Sequence, residues 1–149
     1  MGTAAPLIVP ALLTVWQPLR GTYGLALIHG PSITGEKPPA LFAGYDGDPD
    51  SDFEAITTDR GPVSMDSQFT ERVTVRNGLW VWNGDGDAAA LEVAAYALFN
   101  AVTDLVDADP TLGLTNVDAH IPGSRYTPRP SGDSGLEGLL QFDVIAEVL

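Results

Sequence analysis

Residues 71–108, ERVTVRNGLWVWNGDGDAAALEVAAYALFNAVTDLVDA, join a long alternating segment to a strongly amphipathic one through an Asp/Gly-rich turn. In the first half Val73, Val75, Leu79 and Val81 alternate with Arg72, Thr74, Arg76, Trp80 and Trp82, the two-residue period of a strand whose faces meet different surroundings. In the second half Leu91, Ala94, Ala95, Leu98, Val102, Leu105 and Val106 recur at the 3.6-residue spacing of a half-buried helix, and Asp87 is placed to cap its start. Asp109 before Pro110, followed by Gly113, marks its end, because a residue preceding proline is pushed out of the helical region. The apolar faces of such a strand and helix must be buried against something, which points to a sheet covered by helices.

Two details of this segment stay open from periodicity alone. Asn77-Gly78 is a strong hairpin signal that would pair Val75 with Trp80 and Val73 with Trp82, yet the apolar phase also runs unbroken across the dipeptide. On the helix, the face opposite the apolar stripe carries Val93, Tyr96, Asn100, Asp104 and Asp107. Val93 and Tyr96 there are candidates for contact with a neighbouring subunit, although single exposed apolar residues are ordinary.

Other elements follow in order. A short helix is expected to begin near Pro10, with Leu12, Leu13, Trp16 and Leu19 inward and Gly21 at its end. The apolar N-terminus lacks a basic leading region and is interrupted by Pro6 and Pro10, so it does not read as a targeting or membrane segment, and Pro6 stands where a myristoylation pattern needs Ser or Thr. Residues 25–29 read as a strand, 30–39 as a Gly/Pro loop, and 40–45 as a second strand ended by the acidic run DGDPDSD at 46–52. Phe53 to Thr57 is a weaker strand candidate, and Asp59-Arg60-Gly61-Pro62 reads as a turn. Beyond the long helix, 116–121 is a strand, 122–138 a Pro/Gly/Ser-rich loop, and 140–148 an alternating terminal strand. This order predicts an α+β single domain over residues 1–149, with a mostly antiparallel sheet covered by helices on one face. It lacks the strand–helix alternation of a doubly wound nucleotide-binding fold.

At 149 residues the chain can bury a core without disulfide or metal staples, and it has no cysteine for thiolate ligation. Twenty acidic residues against seven basic ones give a formal net charge of −13, which repels phosphates and argues against sequence-specific nucleic-acid binding. His29 and His120 lie on separate strand candidates, and no serine stands in a nucleophile-elbow pattern, so the expectation is no catalytic residue and no enzyme.

Asp46, Asp48, Asp50 and Asp52 alternate as if to ligate a hard cation, but a calcium loop begun at Asp46 puts Ser51 where its glycine belongs and Thr57 where its glutamate belongs. In Asn83-Gly84-Asp85-Gly86-Asp87, helix capping and turn chemistry explain the residues without a metal. No metal and no cofactor are expected. Arg125, Tyr126 and Arg129 concentrate interface-type side chains in a chain poor in positive charge.

Taken together, a leading helix, a Gly/Pro loop before ALFAGYDG at 40–47, the strand ERVTVRNGLWVWNGD at 71–85, the helix ending DADPTLG at 107–113, and the terminal strand GLLQFDVIAEVL at 138–149 form a pattern. It resembles the tail terminator proteins of long-tailed bacteriophages, the minor tail proteins that take part in head–tail joining. The resemblance spans nearly the whole chain and rests on lengths and residue types, without a catalytic signature. It implies that 71–83 is one continuous strand, which leaves Asn77 among apolar side chains.

It further implies a virion structural protein, assembled in the host cytoplasm and located at the head-proximal end of the tail. There it would form a homo-oligomeric ring, expected as a hexamer, that caps the tail tube and stops its polymerisation. The expected partners are other copies of the chain, the tail tube protein and the head–tail connector. No membrane is involved, and DNA would pass through an acidic lumen. The subunit and tube interfaces are expected to draw on Asp46, Asp48, Asp50, Asp52, Tyr96, Arg125, Tyr126 and Arg129. The competing expectations are another neck or tail-tube protein, or a cation-dependent binding module using Asp46 to Asp52.

Overall fold

The computed structural model describes residues 2–31, 38–50, 54–62, 69–132 and 134–149. Ten elements follow in chain order: α1 (Ala5–Val15), α2 (Pro18–Tyr23), β1 (Ala26–His29), β2 (Ala40–Ala43), β3 (Ile56–Pro62), β4 (Phe69–Asn83), α3 (Ala88–Ala108), β5 (Val117–His120), β6 (Ser124–Pro130) and β7 (Leu136–Val148). The strands make one sheet in the order β1-β2-β4-β7-β5. β3 shares the edge of β4 with β2, and β6 shares the edge of β7 with β5. Every pairing is antiparallel except β1 with β2. The fold is α+β, as the order of elements predicts.

The sheet is built around two long strands, β4 and β7, which pair from Glu71 with Val148 to Asn83 with Leu136. Period-2 alternation turns Val73, Val75, Leu79 and Val81 of β4, and Leu140, Phe142, Val144 and Ala146 of β7, toward the helices. α3 lays Leu91, Ala95, Leu98, Val102 and Val106 on them. Ala94, expected inward, is exposed, and Leu105 is only half-buried, so the packed stripe is narrower than the apolar residues suggest. By length and composition α3 could cross a bilayer, yet its apolar stripe here covers the sheet. Asp87 caps the helix by accepting a hydrogen bond from the Ala90 amide at 3.1 Å.

α1 packs beside α3. Trp16, fully buried, donates its indole N–H to the Val102 carbonyl at 3.3 Å and meets the Phe142 ring edge-on. The helix begins at Ala5, with Pro6 in its first turn and Pro10 inside it, earlier than the expected start near Pro10. What anchors this earlier start is Glu71 at the head of β4: its buried carboxylate accepts from the Ala4 amide at 2.8 Å and from the Thr3 hydroxyl, placing a negative charge at the positive end of the helix. Leu12 and Leu19 are buried as expected, and Leu13 is half-buried. The second helical turn ends at Gly24, not Gly21, in a left-handed conformation that glycine adopts freely.

Two loop assignments are corrected. Asp59-Arg60-Gly61-Pro62 is the end of β3, paired with Phe69–Arg72, and not a turn. The long loop expected over 122–138 contains β6, whose residues pair with Leu136–Phe142. Both are edge strands, where proline and glycine are tolerated because one side of the backbone needs no ladder partner. Phe53 and most of the Gly/Pro loop, residues 32–37, lie outside the described residues.

β4 is continuous through Asn77-Gly78, in agreement with the resemblance. Asn77 pairs with Ala43 on one side and Phe142 on the other, and Gly78 with Phe42 and Gln141, so the dipeptide sits in the middle of the sheet. The β4–β7 ladder passes Asn77 without a bulge. Its side chain is fully buried and hydrogen-bonded: Oδ1 accepts from the Gly44 amide at 3.2 Å, and Nδ2 donates to the Val75 and Phe142 carbonyls at 3.0 and 3.4 Å. Gly78 faces the other way, and a Cβ there would collide with the backbone of Asp46. Asn77→Ala is therefore expected to lower the unfolding free energy by about 2–3 kcal/mol, since it opens a cavity and orphans the Gly44 donor. Denaturant unfolding measures it, and a loss under about 0.5 kcal/mol would show that Asn77 does not anchor the turn.

Candidate functional site

α1 and α3 pack on one face of the sheet, with α2 against α3, which leaves the other face to the turn that follows β2. Gly44 and Gly47 take positive φ, so residues 44–47 fold back across the sheet, with Asp46 above Gly78 and Gly47 against Leu139. Gln141 of β7 holds the turn from beneath by donating to the Asp46 carbonyl at 3.4 Å. The turn divides this open face into two depressions.

On one side lies a groove of about 550 Å3, lined among others by Asp46, Arg76, Ser124, Arg125, Gln141 and Asp143. Arg76 and Asp143 are direct cross-strand partners. On the other side a smaller depression of about 230 Å3 is walled by Phe42, Tyr45 and Trp80, with Arg129, Glu137 and Leu139. Phe42 and Tyr45 meet edge-on at 5.3 Å. Glu137 ties this end together, accepting from the Arg129 guanidinium and from the Trp80 indole at 3.2 Å. Burial, then the charges of Asp46, Asp48 and Asp50, push the Tyr45 hydroxyl above its ordinary range, while Arg129 pulls it down.

The alternating aspartates are explained by turn chemistry. Asp46 accepts from the Asp48 amide at 2.9 Å and Asp48 from the Asp50 amide at 3.0 Å; Asn83 and Asp85 do the same for Asp85 and Asp87. Among the described residues no three carboxylate or imidazole groups converge as metal ligands. His29 and His120 are exposed on β1 and β5, at opposite ends of the strand order, so the fold does not bring them together.

The residues expected at an interface are distributed as follows. Asp46 lines the groove of the open face, Asp48 and Asp50 follow it in consecutive turns, and Asp52 lies outside the described residues. Arg125 and Arg129 belong to β6, not to a loop, and line the two depressions, so the acidic turn and the two arginines share one face. Tyr126 points the other way, toward α3: its ring packs over Gly138, where a Cβ would leave no room, and lies 5.8 Å from the ring of Tyr96. Arg76, Trp80, Glu137, Gln141 and Asp143 were not singled out by sequence. The signal that could have found them is their place on the outward phase of β4 and β7.

Comparison with family models and with curated proteins finds no match for this chain.

The Tyr126 hydroxyl is buried without a hydrogen-bond partner among the described residues. Burial, with Glu92 and Tyr96 nearby, raises its pKa above the usual 10.0. A raised acid pKa favours folding below the unfolded value, and this contribution is lost as pH climbs through the folded one. Tyr126→Phe removes the unpaired group and is expected to stabilise the fold by about 1 kcal/mol, or roughly 2–4 °C in Tm. It should also flatten the loss of stability above pH 10.0. Thermal melts at neutral and alkaline pH check both, and a lower Tm would mean that the hydroxyl is paired.

Proposed function

We propose that this chain is a structural protein of the long-tailed bacteriophage tail, whose copies form a ring, expected as a hexamer, that caps the head-proximal end of the tail tube. The ring stops tube polymerisation and offers the surface to which the head connector attaches. One observation carries this reading: the sheet has two unlike sides. The helix side presents α3 with Val93 and Tyr96 exposed at 71% and 36%, and the open side presents two depressions lined by arginine, aromatic and acidic residues. A ring is a closed heterologous assembly, so each subunit must carry two different surfaces that fit one another.

The pattern that resembles the tail terminators supports the same reading, since α1, β4, α3 and β7 follow in the expected order. The net charge of −13 adds a physical reason why a ring of this chain would let DNA through without holding it. The partners proposed are other copies of the chain, the tube protein and the connector, in the virion and, during assembly, in the host cytoplasm.

Native mass determination, followed by electron microscopy of the protein mixed with tail tubes, tests the proposal. The expected result is a closed ring, free in solution or seated on one end of each tube, together with arrest of tube growth. Polymerisation of the chain into tubes of its own would instead assign it to the tube or neck. A monomer that never decorates tubes would overturn the tail reading.

A further inference from the structure

Arg76 of β4 and Arg125 of β6 line the same open-face groove beside Asp46 and Asp143, and among the described residues neither arginine forms an ion pair, not even Arg76 with its cross-strand neighbour Asp143. Arg72 and Arg129, by contrast, are held by Glu147 and Glu137. In a chain with seven basic residues against twenty acidic ones, two guanidinium groups without an ion pair offset the groove's two carboxylates and keep donors for an incoming acidic group.

The opposite side of the subunit carries the complementary problem. α3 ends in Asp104 and Asp107, both exposed and three residues apart, hence on one face of the helix. The last turn contains no basic residue, so these carboxylates face the negative end of the helix dipole without a cation to offset it. Asp109 differs, because its carboxylate accepts from the Thr111 hydroxyl at 2.8 Å. Along the same face towards the N-terminus follow Asn100, Tyr96 and Val93, all exposed. The stripe therefore runs from acidic to aromatic and apolar, the mixture found where an interface core meets its polar rim.

We propose that Asp104 and Asp107 of one copy dock on Arg76 and Arg125 of the next. The occupant of the arginine groove is thus the acidic end of α3 from a second copy of this chain. Helix layer and open face lie on opposite sides of the sheet, so the contact joins unlike surfaces and leaves each copy free to repeat it with a third. The inference rests on the ring reading above and names the contact that closes the ring. Bidentate arginine–carboxylate pairing would give the register, and the Tyr96–Val93 stripe the apolar area.

A charge exchange tests it. Arg76→Glu with Arg125→Glu gives a chain with acid on both surfaces, and Asp104→Lys with Asp107→Lys gives one with base on both. Each alone is expected to lose self-association by roughly thirtyfold or more, as expected for breaking desolvated charge pairs. An equimolar mixture should recover it by alternating the two chains, although both remain net acidic. Recovery in the mixture also demonstrates that both variants are folded.

Should either variant fail to fold, oxidative crosslinking of two singly substituted proteins gives the same answer. Gly123 at the rim of the groove has open space for a side chain, Ala108 is exposed at the end of α3, and the chain has no cysteine of its own. Gly123→Cys mixed with Ala108→Cys should give crosslinked mixed dimers. Variants that assemble like wild type, or crosslinks only between like chains, overturn the proposed contact and leave the ring reading standing. A wild-type chain that stays monomeric and leaves tube ends bare overturns both.

Discussion

The hydrogen bonds of one buried asparagine, and the missing side chain of the glycine that follows it, hold the rest of this molecule in place. Asn77 points into the core and ties β4 to Gly44 and to Phe142 of β7, with a further bond to the Val75 carbonyl of its own strand. Gly78 points outward and lets the backbone of Asp46 lie directly on the sheet. The two residues thus work on opposite faces of one strand. A turn-forming dipeptide is kept extended because it has ladder partners on both sides, and a central position with full backbone pairing outweighs a local preference for reversal.

What distinguishes the two sides of the sheet follows from that arrangement. The inward phase of β4 and β7 is closed by α1 and α3, with Trp16, Phe99 and Phe142 interlocking edge to face. On the outward phase the 44–47 turn separates a groove lined by arginines and aspartates from an aromatic depression. Glu71, at the head of the same strand, fixes the start of α1, so the leading helix and the open-face turn are both anchored on β4. The chain thus has one helical side and one divided open side, an asymmetry that the proposed head-to-tail assembly would use.

Much of this was legible in the sequence wherever a period and its boundaries agreed. The alternation of 71–83 and 140–148 and the capped helix from Asp87 to Asp109 locate the two central strands and their covering helix, because those elements bury one face against the other. Of β3 only the start, Ile56 and Thr57, was legible as a strand, and β6 was not. Gly61 and Pro62, and Pro128 and Pro130, are turn residues by composition, and only their place at the edge of the sheet makes them strands. The spacing of Arg125, Tyr126 and Arg129 was visible, but a loop reading hides that alternation sends both arginines to the open face and the tyrosine to α3. The acidic run showed its aspartates and not its purpose. Only the turn geometry shows that Asp46 and Asp48 are occupied by the amides two residues on.

The central claim is that β4 runs unbroken through Asn77-Gly78 and holds the turn that shapes the open face. Amide hydrogen exchange across this segment tests it most directly. The amides of residues 76–79 are expected to exchange as slowly as those of Val73 and Val75, by opening only with the global unfolding of the sheet. Exchange at 77 and 78 as fast as at the exposed turn residues Gly84 to Gly86 would mean that the chain reverses there, and would contradict the account.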